Sequence, residues 1–153
     1  FIPDKDYLGW IGKRTQLPGE GDLIFHGETV GKHKGICAYT VGQRFPGLLN
    51  ERKVYISKIN AGSNTIELAL WEELFKYEIK ARDFNWLIDR PEAPIQAQVR
   101  VRHTKWENPD CEARADGDMV TINCREPVRA PAAGQSAVLY DGERLLGGGF
   151  ICS

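Results

Sequence analysis

Apolar and polar residues alternate along most of this chain in short runs, each closed by glycine, proline, asparagine or aspartate. A period of two is the signature of a half-buried strand. It is clearest over residues 95–103, where Ala97, Val99, Val101 and His103 fall on one side and Gln96, Gln98, Arg100 and Arg102 on the other. Further strands are predicted over 22–26 and 29–33, on either side of Gly27-Glu28, and over the apolar run 36–41. Residues 54–59 and 65–70 should pair across Ala61-Gly62-Ser63-Asn64. A strand over 78–86 ends before Pro91-Glu92-Ala93-Pro94, and strands over 111–115 and 119–124 flank Asp116-Gly117-Asp118. Strands over 136–140 and 143–146 flank Asp141-Gly142, the strongest short hairpin signal in the chain. Helical spacing occurs at the start, where Tyr7, Leu8 and Ile11 follow a capping Asp4 and stop at Leu17-Pro18-Gly19. Residues 71–77 fit one helical turn or a loop equally.

Short strands separated by frequent turn residues predict a mainly β chain built as a barrel or sandwich. Two parts are expected: residues 1–75 as a β-rich module with a short N-terminal helix, and residues 76–153 as a barrel of roughly six strands.

Composition narrows the class. The 153 residues are 42% hydrophobic and 27% charged, as in a globular domain rather than a disordered tail. No apolar run approaches the ~20 residues of a membrane helix, and the start has no signal-peptide pattern. Without an initiator Met, the sequence is expected to be part of a longer chain. The net charge of −1 means that RNA could be held only through local patches. Candidates are Lys32 with Lys34, Arg52 with Lys53, and Arg100 and Arg102 with Lys105. Four cysteines, Cys37, Cys111, Cys124 and Cys152, form no Cys-x-x-Cys pair and are expected to be free thiols in a reducing cytoplasm. His33 and Cys37, four apart on a predicted strand, would share a face. That is half a metal site, and His26 and His103 add no matching spacing, so no metal is expected.

Two segments carry candidate chemistry. Gly42-Gln43-Arg44 closes an apolar run at a sharp corner, with Gly42 forming the loop. A guanidinium offers a donor fork for phosphate and can stack on a base, while an amide can donate and accept at a base edge. The competing reading is a turn arginine held by a carboxylate. The face of Gln96, Gln98, Arg100 and Arg102, continued by Lys105, is either a phosphate-contacting surface or an ordinary solvated barrel face. His103, on the apolar side, reads as a hydrogen-bonded core residue. Gly147-Gly148-Gly149 has no helix behind it to serve as a phosphate loop, and fits close backbone approach or a bulge at a barrel edge. Of four tryptophans that could stack on bases, Trp10 and Trp86 read as packing residues and Trp106, beside Lys105, as the RNA candidate.

Motifs in a fixed order extend the picture. Gly31, His33 and Gly35 are followed by Tyr39-Thr40, then Gly42-Gln43-Arg44; Phe84-Asn85-Trp86 stands between; Glu126-Pro127, Gly134-Gln135, Tyr140-Asp141-Gly142 and Leu146 to Gly149 close the series. In these strings the chain resembles the downstream half of the bacterial tRNA-specific 2-thiouridylases, the MnmA/TrmU family, along nearly its whole length. The resemblance implies a barrel like the second domain of elongation factor Tu. It further implies a parent enzyme that uses ATP with Mg and a cysteine persulfide to thiolate the wobble uridine of tRNA in the cytoplasm. Its partners would be the tRNA anticodon region, an N-terminal catalytic domain of the same parent chain and a sulfur-relay donor, with no membrane. The family's second catalytic cysteine precedes a Phe-Ile pair, so the chain would start just after it at Phe1-Ile2. None of the four cysteines matches a catalytic position; no catalytic residue and no cofactor are expected here, and the chain alone should be inactive. The implied RNA contacts are Lys32, Gln43, Arg44, Arg100, Arg102 and Lys105. The alternative role is a structural or protein-interaction module that braces the catalytic domain and touches RNA little. Phe45-Pro46 after the corner and His103-Thr104 after Arg102 depart from the family's pattern.

Overall fold

A computed structural model describes Gly9 and residues 17–102 and 108–152. The predicted N-terminal helix, Trp10, His103, Lys105 and Trp106 lie outside the described residues. The chain divides into two compact units, Phe1–Leu74 and Phe75–Ser153.

The first unit is a five-stranded sheet of β1 (Gly21–Phe25), β2 (Glu28–His33), β3 (Arg44–Leu49), β4 (Arg52–Asn60) and β5 (Thr65–Ala69). Its spatial order is β2-β1-β5-β4-β3. The β1–β5 pair is parallel and the others are antiparallel. Leu23, Val54, Ile56, Ile66 and Leu68 alternate inward and, with Ile36, form the core. Phe25, Tyr39, Val41 and Phe45 pack around them.

Local chemistry sets the turns. Phe25 pairs with Glu28, so the β1–β2 loop is His26-Gly27. Both residues have positive φ, 49° and 85°, as a primed hairpin turn requires. The expected Gly27-Glu28 turn is therefore one residue late. Between β4 and β5, Asn60 Oδ1 accepts from the amides of Gly62 (3.2 Å) and Ser63 (3.3 Å) and folds the chain back, as expected. A short 3₁₀ turn at Glu72–Leu74 follows β5. Glu73 fastens it, accepting from the Leu70 amide at 2.6 Å and meeting His26 Nε2 at 2.7 Å. The Leu70 hydrogen bond, helped by His26, holds the Glu73 carboxyl below its ordinary pKa.

One predicted strand is absent. The run 36–41 is a 3₁₀ turn, Ile36–Ala38, followed by irregular chain and a turn. Gly35 at φ 117° ends the extended path, because His33 Nδ1 draws the Gly35 amide back at 3.0 Å. His33 ends β2 and is buried, whereas Cys37 is exposed, so the shared face expected for this pair does not exist. The following strand, β3, was not predicted.

The second unit is a closed barrel of β6 (Phe75–Trp86), β7 (Ile95–Arg100), β8 (Asp110–Asp116), β9 (Met119–Arg129), β10 (Ser136–Asp141) and β11 (Arg144–Ile151). The order is β10-β11-β6-β9-β8-β7, with every neighbour antiparallel. Small inward residues (Ala81, Ala97, Ala113, Ala137) share the interior with Ile79, Val99, Val120, Ile122 and Leu139, the mixture a narrow barrel needs. The Asp141-Gly142 hairpin forms, with Asp141 paired to Arg144.

The three-glycine run lies inside β11, between two strands of a closed barrel rather than at an edge. The expected close approach is present. A Cβ on Gly149 would sit 2.7 Å from the Arg82 carbonyl oxygen and 2.8 Å from Phe84 Cδ2. On Gly147 it would meet the Asn85 carbonyl oxygen at 2.5 Å and Phe84 Cε1 at 2.9 Å. Phe84 therefore lies across the bare backbone and against Trp86, ring centroids 4.6 Å apart. Gly149→Ala should destabilise the barrel by about 1–3 kcal/mol, the usual cost of overpacking, read as a lower urea midpoint. An unchanged midpoint would show that Phe84 yields freely.

Candidate nucleic-acid interface

The Gly42-Gln43-Arg44 corner is a rigid two-for-one bulge. The Gln43 amide donates to the Thr40 carbonyl at 3.0 Å, closing a four-residue turn with Gly42 in third place at φ 84°. The Gly42 amide then donates to the Ile56 carbonyl at 2.7 Å, and the Ile56 amide to the Gln43 carbonyl at 2.9 Å. Two residues thus oppose one on β4, with glycine at the position that demands positive φ. Gln43 Oε1 accepts from the Thr40 amide at 3.1 Å, so its acceptor side belongs to the turn and its amide nitrogen remains as the donor. Arg44 emerges as the first residue of β3, exposed and paired with Tyr55. Among the described residues its guanidinium has no carboxylate partner, against the reading of a turn arginine held by an acid.

The corner rests on a buried histidine. With Nδ1 accepting from the Gly35 amide, the His33 proton sits on Nε2, which donates to the Asn64 carbonyl at 3.0 Å. Asn64 in turn donates to the carbonyls of Glu20 (2.9 Å) and Gly19 (3.3 Å). Tyr39 meets the His33 ring edge-on at 6.0 Å and stacks on Phe45 at 5.9 Å. The motif residues Gly31 to Tyr39 are thus scaffolding, and His33 has no free nitrogen for catalysis. Lys32 is exposed and ion-paired to Asp22 at 2.5 Å.

On the barrel, Gln96, Gln98 and Arg100 share the outer face of β7 as expected, opposite buried Ala97 and Val99. What surrounds them changes the charge of that face. Gln96 Nε2 donates to Glu112 (3.3 Å) and Gln98 Nε2 to Asp110 (3.0 Å), each its cross-strand partner on β8. Arg100 donates to Asn108 at 3.0 Å and lies 5.8 Å from the centre of the Tyr140 ring. Arg102 is half-buried, donating to the Ala130 carbonyl at 2.8 Å and to Gln135 Oε1 at 3.3 Å. Gln135 Oε1 also takes the Ala132 amide at 3.2 Å. Arg102 therefore braces the loop before β10. Burial, and then the neighbouring Arg129 charge, lower its pKa. Arg44 and Arg100 lie on different units, and Lys105 is outside the described residues.

Two of the four cysteines are buried and poorly suited to act as nucleophiles. Cys111 and Cys124 face each other across β8 and β9 inside the barrel, and burial pushes their thiols up to about 12 and about 11. Among the described residues no group of three or more His, Cys, Asp or Glu could hold a metal, and no helix is long and apolar enough to cross a membrane. The glycine run is packed between barrel strands and offers no phosphate loop for a nucleotide such as ATP.

Two domain families match, one on each unit. The tRNA methyl transferase PRC-barrel domain matches residues 11–69, and the aminomethyltransferase beta-barrel domain matches residues 76–151. The tRNA-specific 2-thiouridylase MnmA of Clostridioides difficile is 37% identical over 155 aligned positions, covering 99% of this chain and 43% of that protein. Those of Syntrophotalea carbinolica, at 33%, and Caldanaerobacter subterraneus subsp. tengcongensis, at 35%, also align with 99% of the chain. The chain spans less than half the length of these curated relatives, 43–44%. With both domain families matched in order and such relatives along 99% of its length, the chain belongs to the tRNA-specific 2-thiouridylase MnmA family.

Proposed function

We propose that this chain is the tRNA-holding, site-closing part of an enzyme that replaces the C2 oxygen of the wobble uridine with sulfur. The observation that carries the reading is the run of tRNA-specific 2-thiouridylases aligned with 99% of the chain. The exposed Arg44, projected from a glycine-locked bulge with no acid among the described residues paired to it, supports a phosphate or base contact. Gln43, Lys32 and Arg100 would add weaker contacts. ATP with Mg, the cysteine persulfide and the sulfur-relay donor belong to the parent enzyme, in the cytoplasm, and to residues other than those described here. The test is Arg44→Ala in the full-length enzyme. Turnover at sub-saturating tRNA should fall about tenfold, the loss of one charge-assisted hydrogen bond, while turnover at saturation changes little. Unchanged turnover at low tRNA would remove Arg44 from the interface.

One observation favours a second reading. The amide face of β7 is interleaved with Asp110 and Glu112, which repel phosphate and suit a surface that packs on protein. In that reading the barrel braces the catalytic domain, and the first unit alone meets RNA.

A further inference from the structure

The register of the first unit assembles a group of side chains that are scattered in sequence. On β4, Val54 and Ile56 are buried, so Lys53 and Tyr55 share the opposite face. Tyr55 is the cross-strand partner of Arg44. That pair adjoins the narrow hydrogen-bonded position at Ile56 and Gln43, so it falls at a site where opposing side chains come closest. On its other side Tyr55 pairs with Ala69, a small residue. The indole of Trp71 meets the Tyr55 ring edge-to-face, centroids 5.1 Å apart and planes at 61°.

Trp71 is 42% exposed, although it sits on a firmly tied turn. The Leu74 amide donates to its carbonyl at 3.2 Å, and the adjacent Leu70 amide is held by Glu73 at 2.6 Å. A partly exposed aromatic ring on a fixed turn does not need ordering when a ligand arrives. Of the acids around it, Glu72 is exposed, Glu73 is already engaged by Leu70 and His26, and Glu67, two residues before Ala69 on the same face of β5, is the cross-strand partner of Lys58.

We infer that Trp71 and Tyr55, flanked by Arg44 and Lys53, form a stacking platform for an unpaired nucleotide. Indole stacks on any base, and two cations beside it suit the phosphates on either side. A paired base has no free face, so the platform selects single-stranded RNA over duplex. The inference rests on the tRNA reading for the source of that nucleotide and adds the residues that would hold it.

The experiment is fluorescence anisotropy of the 153-residue chain with a labelled eight-nucleotide oligouridine, a labelled RNA hairpin with a closed stem, and a whole tRNA. The oligouridine should bind more tightly than the hairpin. Trp71→Ala should weaken oligouridine binding roughly tenfold, the scale of one stacked base, and Trp71→Phe should retain most of it. Lys53→Glu, at an exposed strand position, should weaken binding and flatten its salt dependence. Equal oligouridine affinity for wild type, Trp71→Ala and Lys53→Glu would overturn the platform and leave this face to a protein partner. If tRNA still binds in that case, the tRNA reading stands. If the wild type binds neither oligouridine nor tRNA, both fail.

Discussion

Raising the salt from about 50 to about 200 mM is expected to weaken the hold of this chain on a tRNA bearing a wobble uridine by roughly twenty- to fortyfold. The figure takes three of the cations exposed on the first unit, Lys34, Arg44 and Lys53, and leaves out Arg52, which lies near Glu73, and Lys58, the cross-strand partner of Glu67. If each neutralises one phosphate, the released counterions give a log–log slope of about −2 for single strands and nearly −3 for duplex. A fourfold rise in salt then costs the stated factor. Other cations count for less, because Lys32 already faces Asp22 and the β7 face carries Asp110 and Glu112. Anisotropy titrations at the two salt concentrations measure the slope. A slope near zero, or no binding, would instead favour the bracing role. A slope much steeper than −3 would mean that further cations contribute, Arg52 and Lys58 on β4 or those of the barrel.

Gly21→Ala is expected to abolish the fold of the first unit. Gly21 opens β1 opposite His33, and a Cβ there would overlap the Asn64 carbonyl oxygen and come within 2.6 Å of His33 Nε2. Neither neighbour can yield cheaply. The Asn64 carbonyl takes the His33 proton, the Asn64 amide holds Gly19 and Glu20, and the His33 ring holds Gly35. Displacing either leaves buried polar groups without partners, at about 1–3 kcal/mol each, on top of the steric term. The sum is of the order of a small unit's whole stability. Dispersed amide signals from residues 21–69 should collapse in the variant. Gly19→Ala, where a Cβ would meet nothing within 4 Å, should leave them unchanged.

What could be read from sequence was local. The Asn60 and Asp141-Gly142 turns carry their own instructions, and the alternation of Ala97 and Val99 with Gln96 and Gln98 fixes a buried face. The run Ile36 to Val41 misled because its apolar content is that of a strand, while the decision lay with Gly35 and with a histidine nitrogen two residues before it. β3 was missed because Pro46-Gly47 argues against a strand. It survives there as an edge strand with a register shift, where the missing proline donor is tolerated. At the candidate site, Arg44 was visible from its motif. The β8 acids beside the β7 amides, the half-burial of Arg102 and the meeting of Tyr55 with Trp71 depend on which residues pair across strands. Such pairing is not written in either strand alone.

The parallel pairing of β1 with β5, and the closure of the barrel by β11 on β6, also bear on the order of synthesis. The β1–β2 ribbon leaves the ribosome with no sheet to join, because β5 lies some forty residues later. β6, the first barrel strand made, waits for the last. Low-order local contacts form early and long loops close late, so the first unit stays two separate ribbons until β5 has emerged, and the barrel stays an open sheet with exposed edges until β11 has. A nascent chain stalled before residue 65 or before residue 144 should therefore be the form that chaperones bind.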